Sequence, residues 1–280
     1  MLGVEVNAMK KLRLLVLTLL SVFFAGLFSA QVSAANAFDH SQWGALLKQH
    51  VLPLNGGQAS QVDYQGFADD KAQLDRYLAD LSQVATPEFD DWSKDEQLAF
   101  LINAYNAWTV DLILTQWPDL DSIKDLGRFF SSQWSKSFIP LLGETRSLDD
   151  IEHTLIRGLD RYQDPRIHFA VNCASIGCPA LRNEAYTGKH LDIQLDEQTR
   201  LFLQDRSRNR IDNGKLALSS IFKWYREDFE KGWKGYSSLE QFLIDHAADL
   251  SLTPEEIQKL KDKDMSIRFL DYEWSLNRTL

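Results

Sequence analysis

The chain has 280 residues, with 30 Lys+Arg against 40 Asp+Glu and a formal net charge of −10. Its 44% hydrophobic and 25% charged residues are ordinary for a globular protein and exclude a disordered or fibrous chain. A pI near 5.1 argues against nucleic-acid binding, which needs a basic face, and two cysteines exclude a disulfide framework or a four-cysteine zinc site.

Lys10, Lys11 and Arg13 precede an apolar run over residues 14–28, and Val32-Ser33-Ala34 follows it. A basic head, an apolar middle and a small-residue end predict a secretory signal over residues 1–34, with Met9 as an alternative start. The run of 15 residues is short for a bilayer span. Cleavage after Ala34 leaves 246 residues with 27 basic and 39 acidic side chains, a net charge of −12. It predicts a periplasmic or secreted protein with no stable membrane span after cleavage. Oxidation of the two cysteines is then open.

Residues 35–61 read as an N-terminal helical segment, with a helix at 42–51, and residues 62–280 as the main domain. Residues 70–84 are amphipathic, with Leu74, Leu78 and Leu81 on one face. Ser93-Lys94-Asp95-Glu96 is a capping box that opens a long helix to about Gln116, before Pro118. Residues 138–142 predict a strand, and Ser147 caps a helix to Arg157. Residues 166–172 alternate after Pro165 and predict another strand. A helix is expected at 190–204, a hairpin at 210–218 around Asn213-Gly214, and helices at 220–229, 239–247 and from Pro254. Residues 267–270 predict a final strand. The class is α+β: a helix-rich single domain with a small, mainly antiparallel sheet.

The long helix is apolar on two sides. Leu98, Leu101, Ile102, Tyr105, Trp108 and Leu112 form one stripe, while Ala99, Ala107 and Val110 flank Asn103 and Asn106 on the other. Both amides are therefore expected to be buried and to find partners, clamping loop backbone or serving a binding site. The segment Arg166 to Pro179 carries His168, Asn172, Cys173 and Cys178. On a regular strand His168 and Asn172 share one face and Cys173 the other, so a Cys–His pair requires the strand to end at Asn172 or Cys178 to fold back. Three chemistries compete for these cysteines: a Cys173–Cys178 disulfide closing a small ring, a thiol nucleophile, or a zinc site with His168 that needs a fourth ligand or water. Glu152 and His153 are helix neighbours that point different ways. Arg182 and Tyr186 sit on a loop able to line a cleft. Lys223, Trp224 and Asp228 lie in an aromatic segment where a surface ion pair is the plain reading. The eight Trp make no platform visible in the sequence. No glycine-rich phosphate loop or His-Glu-x-x-His helix is present, and no metal or cofactor is assigned.

The run Ala99-Phe100-Leu101-Ile102-Asn103-Ala104-Tyr105-Asn106-Ala107 resembles the signature helix of the Domain of Unknown Function 547 family. Ile151-Glu152-His153, Arg166 to Cys173, Cys178-Pro179-Ala180-Leu181-Arg182, Phe222 to Tyr225 with Asp228-Phe229, and Phe269 to Asn277 fit the same family. The resemblance covers most of residues 62–277. It implies that these positions cluster, and it carries no established reaction. The order of a buried helix, a strand histidine and a late carboxylate, here Asn103/Asn106, His168 and Asp271, also resembles papain-like and transglutaminase-like folds. Those place a cysteine at the start of the helix, and this chain has none there.

Two functions follow as expectations. One is a non-catalytic module binding an unknown envelope or extracellular ligand, with Asn103, Asn106, Asn172 and Arg182 in its site. The other is a papain-like thiol hydrolase or acyl-transfer enzyme with His168 as base, Cys173 or Cys178 as nucleophile and Asp271 or an asparagine orienting the imidazole.

Overall fold

The computed structural model describes residues 38–127 and 133–279. The expected signal over residues 1–34 lies outside them.

The first helix, α1 (Ser41–His50), runs straight into a hairpin of β1 (Val51–Leu54) and β2 (Ala59–Val62), with Val51 opposite Val62. The segment to residue 61 is thus only partly helical. Pro53 and the short, mostly exposed β1 had concealed the hairpin. Three helices follow: α2 (Tyr64–Asp69), α3 (Lys71–Gln83) and α4 (Thr86–Asp90). Then comes α5 (Lys94–Leu114), whose N-terminal donors are met by the Ser93/Glu96 capping box. From Gln97 to Ile113 nearly every α5 side chain is buried, so this helix is the axis on which the rest is packed.

Beyond it, β3 (Ile139–Leu141) and β4 (Glu144–Arg146) form a second small hairpin. Residues Asp150–Ile156 form a π-helix, closed by an Arg157 N–H to Glu152 carbonyl bond of 2.9 Å. Helix α6 (Leu191–Gln204) precedes β5 (Arg210–Asp212) and β6 (Lys215–Leu218), which turn through Asn213-Gly214 at φ of 50° and 72°. That left-handed pair suits a tight antiparallel turn. Then follow α7 (Ile221–Trp224), α8 (Leu239–Asp245), α9 (Pro254–Lys261) and β7 (Ile267–Phe269). Strand β7 joins β6 in parallel, so the described residues form three small sheets, two antiparallel and one mixed, in a helix-rich α+β fold.

The expected strand at 166–172 is absent. Residues Pro165–Phe169 form a 3₁₀ turn instead. Asp164 caps it by accepting the Arg166 N–H, Pro165 supplies the first helical position, and the Arg166 guanidinium is buried against Asp164, Asp192 and Asp196. Alternation in the sequence was outweighed by this cap and a buried cation.

The apolar interior falls into two clusters. The larger surrounds α5 and includes Trp43, Phe67, Tyr77, Phe100, Ile102 and Ile167. The smaller holds Phe169, Phe202, Phe222, Phe229, Phe242 and Leu243. The 3₁₀ turn contributes to both, with Ile167 in one and Phe169 in the other. Among the described residues no helix is long and apolar enough to cross a membrane.

Candidate functional site

The segment after the 3₁₀ turn joins no named strand, and side-chain amides supply part of its backbone bonding. Asn106 donates to the Ala170 carbonyl at 3.0 Å and accepts the Asn172 N–H at 2.8 Å. Asn172 in turn donates to the Pro179 carbonyl and accepts the Ala174 N–H, closing the loop on itself. Ala174 is held at φ 62°, a left-handed conformation costly for a residue with a Cβ, and its carbonyl accepts the Asn277 N–H. Cys173 and Cys178 are disulfide-bonded across this loop, with Cα atoms 6.1 Å apart. That separation is within the span a bridge closes without backbone movement. The sulfurs lie near hydroxyls: Cys173 Sγ is 3.2 Å from Ser175 Oγ, and both sulfurs are 3.2 Å from Tyr272 Oη.

His168 is wholly buried. Its Nε2 lies 2.7 Å from Asp228 Oδ2, and its ring stacks on Tyr225 with centroids 3.9 Å apart. Burial works against an Asp228 charge, but bonds from His168, Arg157 and Lys231 outweigh it and hold the carboxyl far below its usual range. An ionised Asp228 only accepts, so Nε2 carries the proton. Burial, partly offset by Asp228, lowers the His168 pKa and keeps the ring neutral. The lone pair is then on Nδ1, which has no hydrogen-bond partner. Neither sulfur serves it.

A cavity of about 210 Å³ opens beside this ring. The π-helix brings Glu152 and His153 to the same cavity, with Asp149 just before it, contrary to the divergence expected of an ordinary helix. Glu152 is buried and raises the pKa of both Tyr105 and Tyr225, whose hydroxyls it engages, on top of the dominant effect of burial. Burial raises Asp149 as well, with His153 opposing and Glu152 reinforcing. The outer wall is aromatic: Trp224, Tyr272 and Trp274 stand with ring centroids 4.5 to 5.7 Å apart. Gly177 lets this wall approach. A Cβ there would sit 2.8 Å from the Tyr272 ring and 2.9 Å from the Glu273 carbonyl.

Of the residues singled out in the sequence, His168, Cys173 and Cys178 line the cavity, while Asn106 and Asn172 shape it from behind. Asn103 clamps elsewhere, bonding both the N–H and the carbonyl of Tyr186. Arg182 pairs with Glu184 and Glu197 and lines a separate cleft near the β1–β2 hairpin. Asp271 is exposed and does not orient His168; Asp228 does, and Lys223 faces solvent rather than pairing with it. The papain-like order therefore fails at two points, the strand histidine and the late carboxylate. Tyr105 read only as part of the apolar stripe of its helix, and Tyr225 and Tyr272 only as members of the family-like motifs, with no site role given to any of them. Among the described residues no group of three His, Cys, Asp or Glu is placed to hold a metal ion.

No curated protein and no solved structure matches the chain. A family model described as "Protein of unknown function, DUF547" matches residues 89–203. That stretch includes the α5 amides, the π-helix, His168 and both cysteines. Asp228 and the Tyr272–Trp274 wall lie beyond it. Residues 89–203, which carry the centre of the site, thus match the DUF547 family of proteins of unknown function.

Proposed function

We propose that the chain is an exported, non-catalytic binding module of the cell envelope or exterior that takes a small ligand in the cavity beside His168. The observation that supports this reading is the state of the cysteines. They are bonded to each other, and their further contacts go to Ser175 and Tyr272 rather than to His168. Thiol catalysis requires a thiolate within hydrogen-bond reach of its base. Here the base nitrogen is unpartnered and the thiols are consumed. A cavity with apolar walls and a few convergent polar groups is what small-ligand binding uses.

Labelling tests the reading. The native protein without reductant should take up no iodoacetamide at neutral pH. Uptake abolished by only one of Cys173→Ser and Cys178→Ser would identify a nucleophile and overturn it. Export is tested by intact mass: the mature protein should begin at Ala35, and a form retaining residues 14–28 overturns that part.

A second reading keeps one observation of its own. Asp228 fixes His168 with its Nδ1 lone pair free, the orientation a general base needs. A thiol hydrolase or acyl transferase built on it would require reduction of the bridge, with Asp228 in the role first given to Asp271.

A further inference from the structure

The cavity beside His168 holds two buried polar atoms without partners, Glu152 Oε1 and His168 Nδ1. The Glu152 side chain is only 8% exposed. An unserved carboxylate oxygen at that depth is costly, so a native fold that keeps one is prepared for something else to bond it. His153 does not fill the role. Its Nδ1 is 4.0 Å from Oε1, and that nitrogen already accepts from Arg157 Nη1 at 2.8 Å, so it has no proton to give. Arg157 itself is committed to Asp228, His153 and the Tyr225 ring.

Both unserved atoms are acceptors: a carboxylate oxygen, and the lone pair of an imidazole whose proton sits on the opposite nitrogen. The ligand must therefore bring donors. A sugar brings hydroxyl donors but also acceptors in like number, for which this floor offers no unpaired buried donor. An anion would meet Glu152 and Asp149. The walls add the second criterion. The Trp224–Tyr272–Trp274 group forms the outer side, and aromatic faces attract cations, whereas the Tyr225 ring is already engaged by His168 and by the Arg157 guanidinium. Trp274 already receives one of the chain's own, Lys124 Nζ at 3.7 Å from the ring centroid. Trp224 is 46% exposed, a large apolar face left at the rim.

We infer that the cavity binds a compact organic ammonium ion, its N–H groups donating to Glu152 Oε1 and His168 Nδ1 and its carbon frame packed against Trp224 and Tyr272. This names the ligand class of the binding-module reading and rests on it.

The experiment is calorimetric titration of the mature chain, disulfide intact, with benzylammonium chloride and with benzyl alcohol, its uncharged counterpart. Benzylammonium should bind at least about tenfold more tightly, the scale of one charge-assisted hydrogen bond. Glu152→Gln, which keeps shape and removes charge, should lose about tenfold for benzylammonium and nothing for benzyl alcohol. Trp224→Ala, at the exposed rim, should weaken benzylammonium several-fold and keeps the test decisive if Glu152→Gln fails to fold. Ile193→Ser, on the exposed face of α6 and outside the cavity lining, should change nothing. Equal affinity for the two probes, no benzylammonium binding, or full affinity in folded Glu152→Gln would overturn the inference. Equal affinity with the bridge still unreactive leaves the binding module standing, whereas thiol labelling removes the module itself.

Discussion

Asp228 is an anion with no exposed surface, held by His168 at 2.7 Å, Arg157 at 2.6 Å and Lys231 at 2.8 Å. Removing one member of such a group leaves the others facing an empty site. Arg157 and Lys231 keep 21% and 27% of their side chains exposed, so water can take over part of their solvation. Asp228→Ala should therefore cost about 2–3 kcal/mol, somewhat below a fully buried pair, read as a shift in urea midpoint at constant slope. Asn106→Ala strands the Ala170 carbonyl and the Asn172 N–H together and should cost more than about 1 kcal/mol by the same measurement. An unchanged midpoint would contradict either statement. The two cases differ in what the sequence discloses. Asn106 is legible because a helix apolar on both sides leaves its amide nowhere to go but into the protein. Asp228 is not, because nothing local distinguishes it from Asp271: each is a carboxylate in an aromatic stretch, and which one meets His168 is decided by chain path over sixty residues.

At the scale of elements, the loop from Asn172 to Pro179 is fixed by three devices: the Asn106 clamp, the Asn172 cross-bonds and the bridge. Closing so short a ring is worth about 2 kcal/mol by loop entropy. Cys173→Ser and Cys178→Ser should each lose about that much, and the double variant should be little worse than either single one. Additive losses would mean the cysteines act separately. Helix α1 carries a different signature. His40, just before it, is buried and bonded to Tyr77 at 2.7 Å, and burial, with Asp39 opposing, lowers its pKa from 6.5 to about 4. The unfolded chain then takes up a proton that the folded one refuses. Stability is complete above pH 6.5 and falls as pH drops toward 4, by about 3 kcal/mol at the lower end. His168, also lowered, acts in the same direction. His40→Gln should flatten the part of the profile due to His40, measured as the difference from the parent chain. A parallel profile would refute the assignment. Elements with strong local signals, the capping box of α5 and the Asn213-Gly214 turn, are plain in the sequence. The 3₁₀ turn and the π-helix are not, because each is chosen by distant contacts: Arg166 with α6, and Glu152 with Tyr105 and Tyr225.

At the scale of the whole molecule, the cavity lies along the seam between the two apolar clusters. Tyr105 and Val171 come from the side of the larger, and Ile221, Tyr225 and Tyr272 from that of the smaller. The 3₁₀ turn ties the two. Phe169 packs on Phe202 at 4.9 Å and stands within 6.1 Å of Phe222, Phe229 and Phe242. Phe169→Ala should cost about 3–5 kcal/mol, the usual range for a buried ring, and should loosen the smaller cluster first. Hydrogen exchange should show amides of α8 losing protection before those of α5. Uniform loss across both would mean the clusters unfold as one unit.

The residues after β7 run back across almost everything that shapes the site. Ser275 and Glu273 accept from Ile176 and Gly177, Leu276 donates to Asp121, and Asn277 bonds Ala174, Val62 and Tyr64. A ribosome adds these residues after every other part of the site. Cys173 and Cys178 thus emerge about a hundred residues before the Tyr272 hydroxyl that lies against their sulfurs. Oxidation of the pair can be finished while that side is still open, and the aromatic wall then shuts over a bridge already made. Chain order thus permits a sequence of maturation, bridge first and closure second, wherever the chain enters an oxidising compartment from its N-terminal side.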